Sequence, residues 1–154
     1  MYPHILEGKA DAARVQLFSD KVTDYSSFVH DVLGLTEKDF NNSGEKVTYH
    51  ASCHICRGLG VTKAPRDLIA DAATYVPCAE EDVCCGFGGT YSMKFPEISG
   101  TLLAKKLKHI EETGASRVVM DCPGCVMQIR GVATANDSPI KVEHIAELLA
   151  RHMK

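Results

Sequence analysis

No stretch of this 154-residue chain approaches the ~18 consecutive apolar residues that a membrane-crossing helix requires. None is therefore expected to span a bilayer. There is no excess of positive charge either. Lys and Arg number 17 against 20 Asp and Glu, a net charge of −3. Without a basic stripe, nucleic acid is not an expected partner. The opening MYPHILEGKADAARV lacks a basic segment followed by a long apolar one, so it is not read as a secretory signal. A cytoplasmic location is the corresponding expectation. Hydrophobic residues make up 45% of the chain, enough for one compact domain with a core of its own.

Cysteine, by contrast, is plentiful. There are seven: Cys53, Cys56, Cys78, Cys84, Cys85, Cys122 and Cys125. The number is odd and the expected compartment is reducing, so a pure disulfide framework is disfavoured. In such a setting clustered cysteines more often hold metal or carry redox chemistry.

The apolar pattern divides the chain. Residues 1–35 read as a helical N-terminal segment, with apolar positions at Ala13, Val15, Leu17, Phe18 and Val22. A second short helix places Phe28, Val29, Val32 and Leu33 on one face, with Gly34 as its C-terminal cap. TEKDFNNSGE (36–45) is polar and turn-rich, the composition of a linker. From 46 to 154 short strands alternate with helices. The strands are KVTYHA (46–51), TYVPC (74–78), RVVMD (117–121) and IKVE (140–143). Helices follow over 65–72, over 97–114 with a stripe of Ile98, Leu102, Leu103, Leu107 and Ile110, over CVMQIRGVA from Cys125, and at the C-terminus. This order predicts an α/β domain: a mostly parallel four-stranded sheet flanked by helices. In such sheets the site lies beyond the carboxyl ends of the strands. Cys53, Cys84–Cys85 and Cys122 all follow predicted strands.

The cysteine spacings carry chemistry. DVCCGFGGTYS (82–92) sets two cysteines side by side, and adjacent thiols rarely close a good disulfide with each other. Gly86, Gly88 and Gly89 let the chain turn sharply beside them and approach a bulky ligand. Cys122-Pro-Gly-Cys125 can face two sulfurs to one centre across a single turn. If a helix starts there, its N-terminal dipole favours thiolate.

Thirty residues separate Cys53 from Cys84, and 36 separate Cys85 from Cys122. This C…CCG…CxxC order, with VTYHASCHICRGLGV, CCGFGGTYSMKFPEIS and DCPGCVMQIRG around it, resembles the cysteine-rich CCG domain. That domain occurs in the B subunit of heterodisulfide reductases. It also occurs in iron–sulfur subunits of glycolate oxidase, anaerobic glycerol-3-phosphate dehydrogenase and lactate-utilisation systems. The wording is closest to the lactate and glycolate type, over roughly residues 10–150. The resemblance implies a [4Fe-4S] cluster, of non-cubane form in the heterodisulfide reductase relatives, held by Cys53, Cys84, Cys85, Cys122 and Cys125. It implies electron relay from a flavin-containing dehydrogenase subunit acting on lactate, glycolate or a similar 2-hydroxy acid, with other iron–sulfur domains in the same complex and membrane association through partners. Family members usually carry the domain twice, often after a ferredoxin-like domain. Here one complete motif stands without a ferredoxin-type C-x₂-C-x₂-C run, as in the C-terminal repeat of a larger subunit.

Other readings stay open. Gly86 would cradle the centre, and His54 could donate to it or pack at the surface. Four thiolates suit structural zinc, which would make this a docking domain without a redox role. A heterodisulfide- or thiol-reducing module is a further alternative, as is a metal-free dithiol at Cys53 and Cys56. His50, at a strand end, reads as structural. Cys78 reads as a core or loop residue.

Overall fold

The computed structural model describes residues 2–154. Three short helices come first: α1 (Tyr2–Ile5), α2 (Ala12–Ser19) and α3 (Tyr25–Ser27), the last extended by a π turn over Phe28–Val32. A 3-10 turn at Glu37–Asp39 leads to β1 (Lys46–Tyr49), a second π turn (His54–Gly58), α4 (Lys63–Ala72) and β2 (Thr74–Tyr75). Then follow α5 (Tyr91–Lys94), α6 (Pro96–Glu112), β3 (Arg117–Met120), α7 (Pro123–Ala135), β4 (Lys141–His144) and α8 (Ile145–His152). No helix among the described residues is long and apolar enough to cross a membrane.

The sheet order is β2-β1-β3-β4 and every pairing is parallel. Parallel strands are covered on both faces and so carry near-continuous apolar runs; all of Arg117–Met120 is buried. Alternate residues feed two cores. Val47, Tyr49, Ala51 and Val119 face α4 and α8, through Leu68, Ile69, Leu148 and Leu149. Val118, Met120 and Val142 face α6 and α7, through Leu107, Ile110, Val126 and Ile129. The chain leaves β1 for one edge strand, then crosses back to place β3 on the other side of β1. That reversal opens a crevice at the carboxyl ends of β1 and β3.

Local differences from the sequence pattern have physical causes. β2 stops at Tyr75 rather than reaching Cys78; its last bond to β1 runs from Val76 N to the Val47 carbonyl at 2.8 Å, and Pro77, with its fixed φ, follows at once. The polar 36–45 segment is anchored: Phe40 is buried and bridges Met153, and Asn41 N donates to the His152 carbonyl at 2.7 Å. In the N-terminal segment Val29 is buried, but Phe28, Val32 and Leu33 are exposed. Leu33 N bonds the Phe28 carbonyl five residues back. This wider turn breaks the i, i+4 register on which the predicted face depends.

Ser26 ties that segment to the sheet. Its buried hydroxyl donates to Asp121 Oδ1 at 2.7 Å, and the Tyr49 hydroxyl donates to Asp121 Oδ2 at 2.5 Å. Ser26→Ala is expected to cost about 1–2 kcal/mol, read by chemical denaturation, and to raise amide exchange over residues 25–33 selectively.

Candidate metal centre

Three segments meet at the crevice. Beyond β1, His50 N extends the ladder to the Val119 carbonyl at 2.9 Å, and Ala51 N bonds the Glu81 carbonyl at 3.1 Å. This second bond ties the β1 exit to the loop carrying the paired cysteines. Cys53 then begins the π turn. Beyond β3, Cys122 is the N-cap residue of α7, Pro123 takes the first helical position and Cys125 lies within the first turn.

The paired cysteines sit in the loop between β2 and α5. Lys106 on α6 is only 2% exposed. Its ammonium donates to the carbonyls of Glu80 (2.5 Å) and Glu81 (3.4 Å), which pins the loop just ahead of Cys84. Burial lowers the Lys106 pKa. Lys106→Met removes one of the two donors to each of those carbonyls. It is expected to destabilise the fold by about 1–3 kcal/mol and to speed amide exchange at Val83, whose N–H bonds the Glu80 carbonyl.

Past the pair, Ser99 Oγ donates to the Gly86 carbonyl at 2.9 Å, and Gln128 Nε2 donates to Ser99 Oγ at 3.1 Å. The Phe87 ring lies against the CxxC turn so closely that a Cβ on Gly124 would fall 2.7 Å from it. Glycine at 124 is therefore a condition of that contact.

The adjacent cysteines turn to different partners. Cys84 meets Cys53; burial and then the Cys84 thiol push the Cys53 thiol up to about 11. Gly86 N donates to Cys84 Sγ at 3.3 Å. Cys85, fully buried, meets Cys125. The Cys125 thiol donates to Cys85 and holds it in the thiolate form against the cost of burial, with help from His50 and the Phe87 N–H. Cys125 is raised in turn, by keeping that proton and by burial. One proton is thus shared between two buried sulfurs. Cys122 and the Ser52 hydroxyl stand beside Cys125. Cys53, Cys84 and Cys122 keep partial exposure.

The structure thus brings Cys53, Cys84, Cys85, Cys122 and Cys125 to one place. Gly86 is also there, at φ +83°, its carbonyl held by α6. His54 is exposed on the outer side of the π turn. The histidine beside the sulfurs is His50, with a ring nitrogen within 4.8 Å of both Cys85 Sγ and Cys125 Sγ. Cys56 packs against the other core, its thiol toward the Ala51 carbonyl at 3.7 Å. Cys78 is buried with its thiol toward the Ala79 carbonyl at 3.4 Å, and burial raises its pKa.

Sequence reasoning reads His50 as structural and passes over Lys106, though each leaves a signal. His50 lies on one strand face with Thr48 and Ser52, polar at alternate positions where a core strand should be apolar. Lys106 interrupts the buried line Leu103–Ile110 of α6 at helical spacing.

Comparison with known proteins bears on the same segments. The profile of the CCG cysteine-rich domain matches residues 47–130. Lactate utilization protein A of Lysinibacillus sphaericus is 39% identical over 151 residues, 96% of this chain and 66% of that protein. The protein of the same name from Oceanobacillus iheyensis is 39% identical over 154 residues, 98% of this chain and 63% of its own length. That from Anoxybacillus flavithermus is 40% identical over 152 residues, 96% and 63% respectively. This chain spans just under two thirds of the length of these relatives.

Proposed function

The chain belongs to the family of the CCG cysteine-rich domain, and from that membership we propose that it is an iron–sulfur electron-relay module of a lactate-utilisation system. The observation that carries the reading is the division of labour between Cys84 and Cys85. One turns to Cys53, the other to Cys125 with Cys122 alongside. Among the described residues, only Cys85 and Cys125 join His50 within 4.8 Å of one another. The sulfurs are thus two pairs and a fifth, set wider than the four ligands of a tetrahedral zinc ion. Their number and spread fit a multinuclear cluster, with all five cysteines as its ligands.

A bound cluster supplies a one-electron acceptor and donor. The protein's residues do the rest. Cys85 and Cys125 hold the inner side in the core, and Phe87 covers the CxxC turn. Gly86 N–H donates to Cys84 sulfur, one of the levers on potential. The partly exposed Cys53, Cys84 and Cys122 would leave one side of the centre open to electron exchange with a partner. Hydride removal from lactate or a similar 2-hydroxy acid would fall to a flavin-containing subunit, with this module accepting its electrons in the cytoplasm.

The test is iron, acid-labile sulfide and zinc per chain in protein purified without oxygen, with the visible spectrum. About four irons with matching sulfide, and a brown colour that bleaches on reduction, supports the reading. One zinc without sulfide replaces it with a docking domain. Metal-free protein that stays so after reconstitution defeats it.

A further inference from the structure

β1 and its extension carry three polar side chains on one face: Thr48, His50 and Ser52. All three are buried, and the hydroxyls of Thr48 and Ser52 and both ring nitrogens of His50 have no hydrogen-bond partner among the described residues. An unpaired buried polar group costs stability. Such groups in a native fold call for a bound partner or a functional role. Here the row does not point at random. Odd-numbered neighbours Val47, Tyr49 and Ala51 fill the first core. By strand alternation the even-numbered row faces the second, which holds Cys85 and Cys125.

His50 is fully buried, with a ring nitrogen within 4.8 Å of both sulfurs. A neutral imidazole offers one donor and one acceptor. The Ser52 hydroxyl stands beside Cys125 and the imidazole beside Cys85, which makes Cys85 the sulfur for a histidine donor. The five thiols already outnumber the four ligands of a mononuclear tetrahedron. What such a buried, thiolate-rich centre lacks is not a sixth ligand but donors to offset its negative charge.

We propose that His50 is a positioning residue of the centre, donating a ring N–H to the Cys85 sulfur and stabilising the negative charge that the centre gains on reduction. Thr48 and Ser52 flank the imidazole on the same strand face. This role rests on the iron–sulfur reading above. It is separate from ligation, because it predicts a centre that still assembles without His50 but is harder to reduce.

The experiment compares wild type, His50→Ala and His50→Gln as full chains purified without oxygen, after cluster reconstitution. Metal and sulfide content, circular dichroism and a redox titration are recorded on each. His50→Ala is expected to keep the wild-type metal content, with its reduced-to-oxidised ratio at fixed potential lowered about tenfold, about 59 mV for a one-electron couple. His50→Gln keeps an N–H donor and should fall between the two. Pulsed electron paramagnetic resonance on ¹⁵N-histidine protein should show a weakly coupled nitrogen, lost in both variants. If His50→Ala does not fold, His50→Gln and the nitrogen coupling decide. Equal potentials in metal-replete wild type and variants overturn the proposal. So does strong nitrogen coupling with metal loss in both folded variants, which would make His50 a ligand. Zinc without sulfide in the wild type defeats the relay reading instead. The donor role is then read from slowed solvent exchange of the His50 ring proton in the zinc form: slowing that Cys85→Ala abolishes supports it, and its absence overturns it.

Discussion

Cys85→Ser should strip the centre, taking iron from about four per chain to less than about one, while Cys78→Ser should leave it nearly intact. Both residues are buried in the same core, so burial alone does not separate them. Their surroundings do. Cys85 lies within reach of Cys125 and His50 and is held toward thiolate, the form that binds metal. Serine at 85 offers a harder, shorter oxygen in place of a soft thiolate. Cys78 faces the Ala79 carbonyl, and burial raises its pKa, so its thiol is kept neutral. Its replacement should cost about 1 kcal/mol of stability and no metal. Iron, sulfide and the visible spectrum of the two variants, reconstituted in parallel, check this. A Cys78→Ser protein without metal beside a metal-replete Cys85→Ser protein would show the ligand assignment to be wrong.

The same contrast separates what local sequence reveals from what only the folded chain decides. Cys84–Cys85-Gly86 and Cys122-Pro-Gly-Cys125 are legible in the sequence because they are ordered and unusually spaced. The strand–helix alternation sets the sheet class, and with it the end of the sheet where these cysteines gather. Pairing is what local sequence hides. Nothing in two neighbouring cysteines says that one turns to Cys53 and the other to Cys125. That depends on how Lys106 and Ser99 hold the loop from α6, contacts that cross 26 and 13 residues of chain. The choice between His54 and His50 is also out of reach locally. His54 adjoins a cysteine in sequence but sits on the outer side of a turn, whereas strand alternation carries His50 inward. In the N-terminal segment the apolar spacing is visible, but a π turn changes which residues share a face. Val32 and Leu33 end up exposed.

The loop's hold on the pair yields the second large effect. Gly86→Ala and Gly89→Ala make the same chemical change, three residues apart, in one loop, and both native residues have positive φ, +83° and +59°. An L-residue in this region costs roughly 1–2 kcal/mol. At Gly89 nothing lies within 4 Å of an added Cβ, so that backbone strain is the whole cost. At Gly86 the Cβ would stand 2.7 Å from the Ser99 carbonyl oxygen and 3.2 Å from Ser99 Cα. Both are backbone atoms of α6 and cannot swing aside. The loop must lift, breaking the Ser99 Oγ bond to the Gly86 carbonyl. Overpacking of this kind adds about 1–3 kcal/mol. Gly86→Ala should therefore lower stability by about 3 kcal/mol or more, roughly 6–12 °C in melting temperature for a domain of this size. Gly89→Ala should lose about half as much or less. Because lifting Gly86 also moves Cys84 and Cys85 away from Cys53 and Cys125, Gly86→Ala should lose most of its iron on reconstitution, and Gly89→Ala should keep it. Thermal unfolding of the reduced, metal-free proteins isolates the backbone cost, and iron content isolates the displacement. Equal losses in the two variants would mean that the close approach to Ser99 is not what aims the paired cysteines.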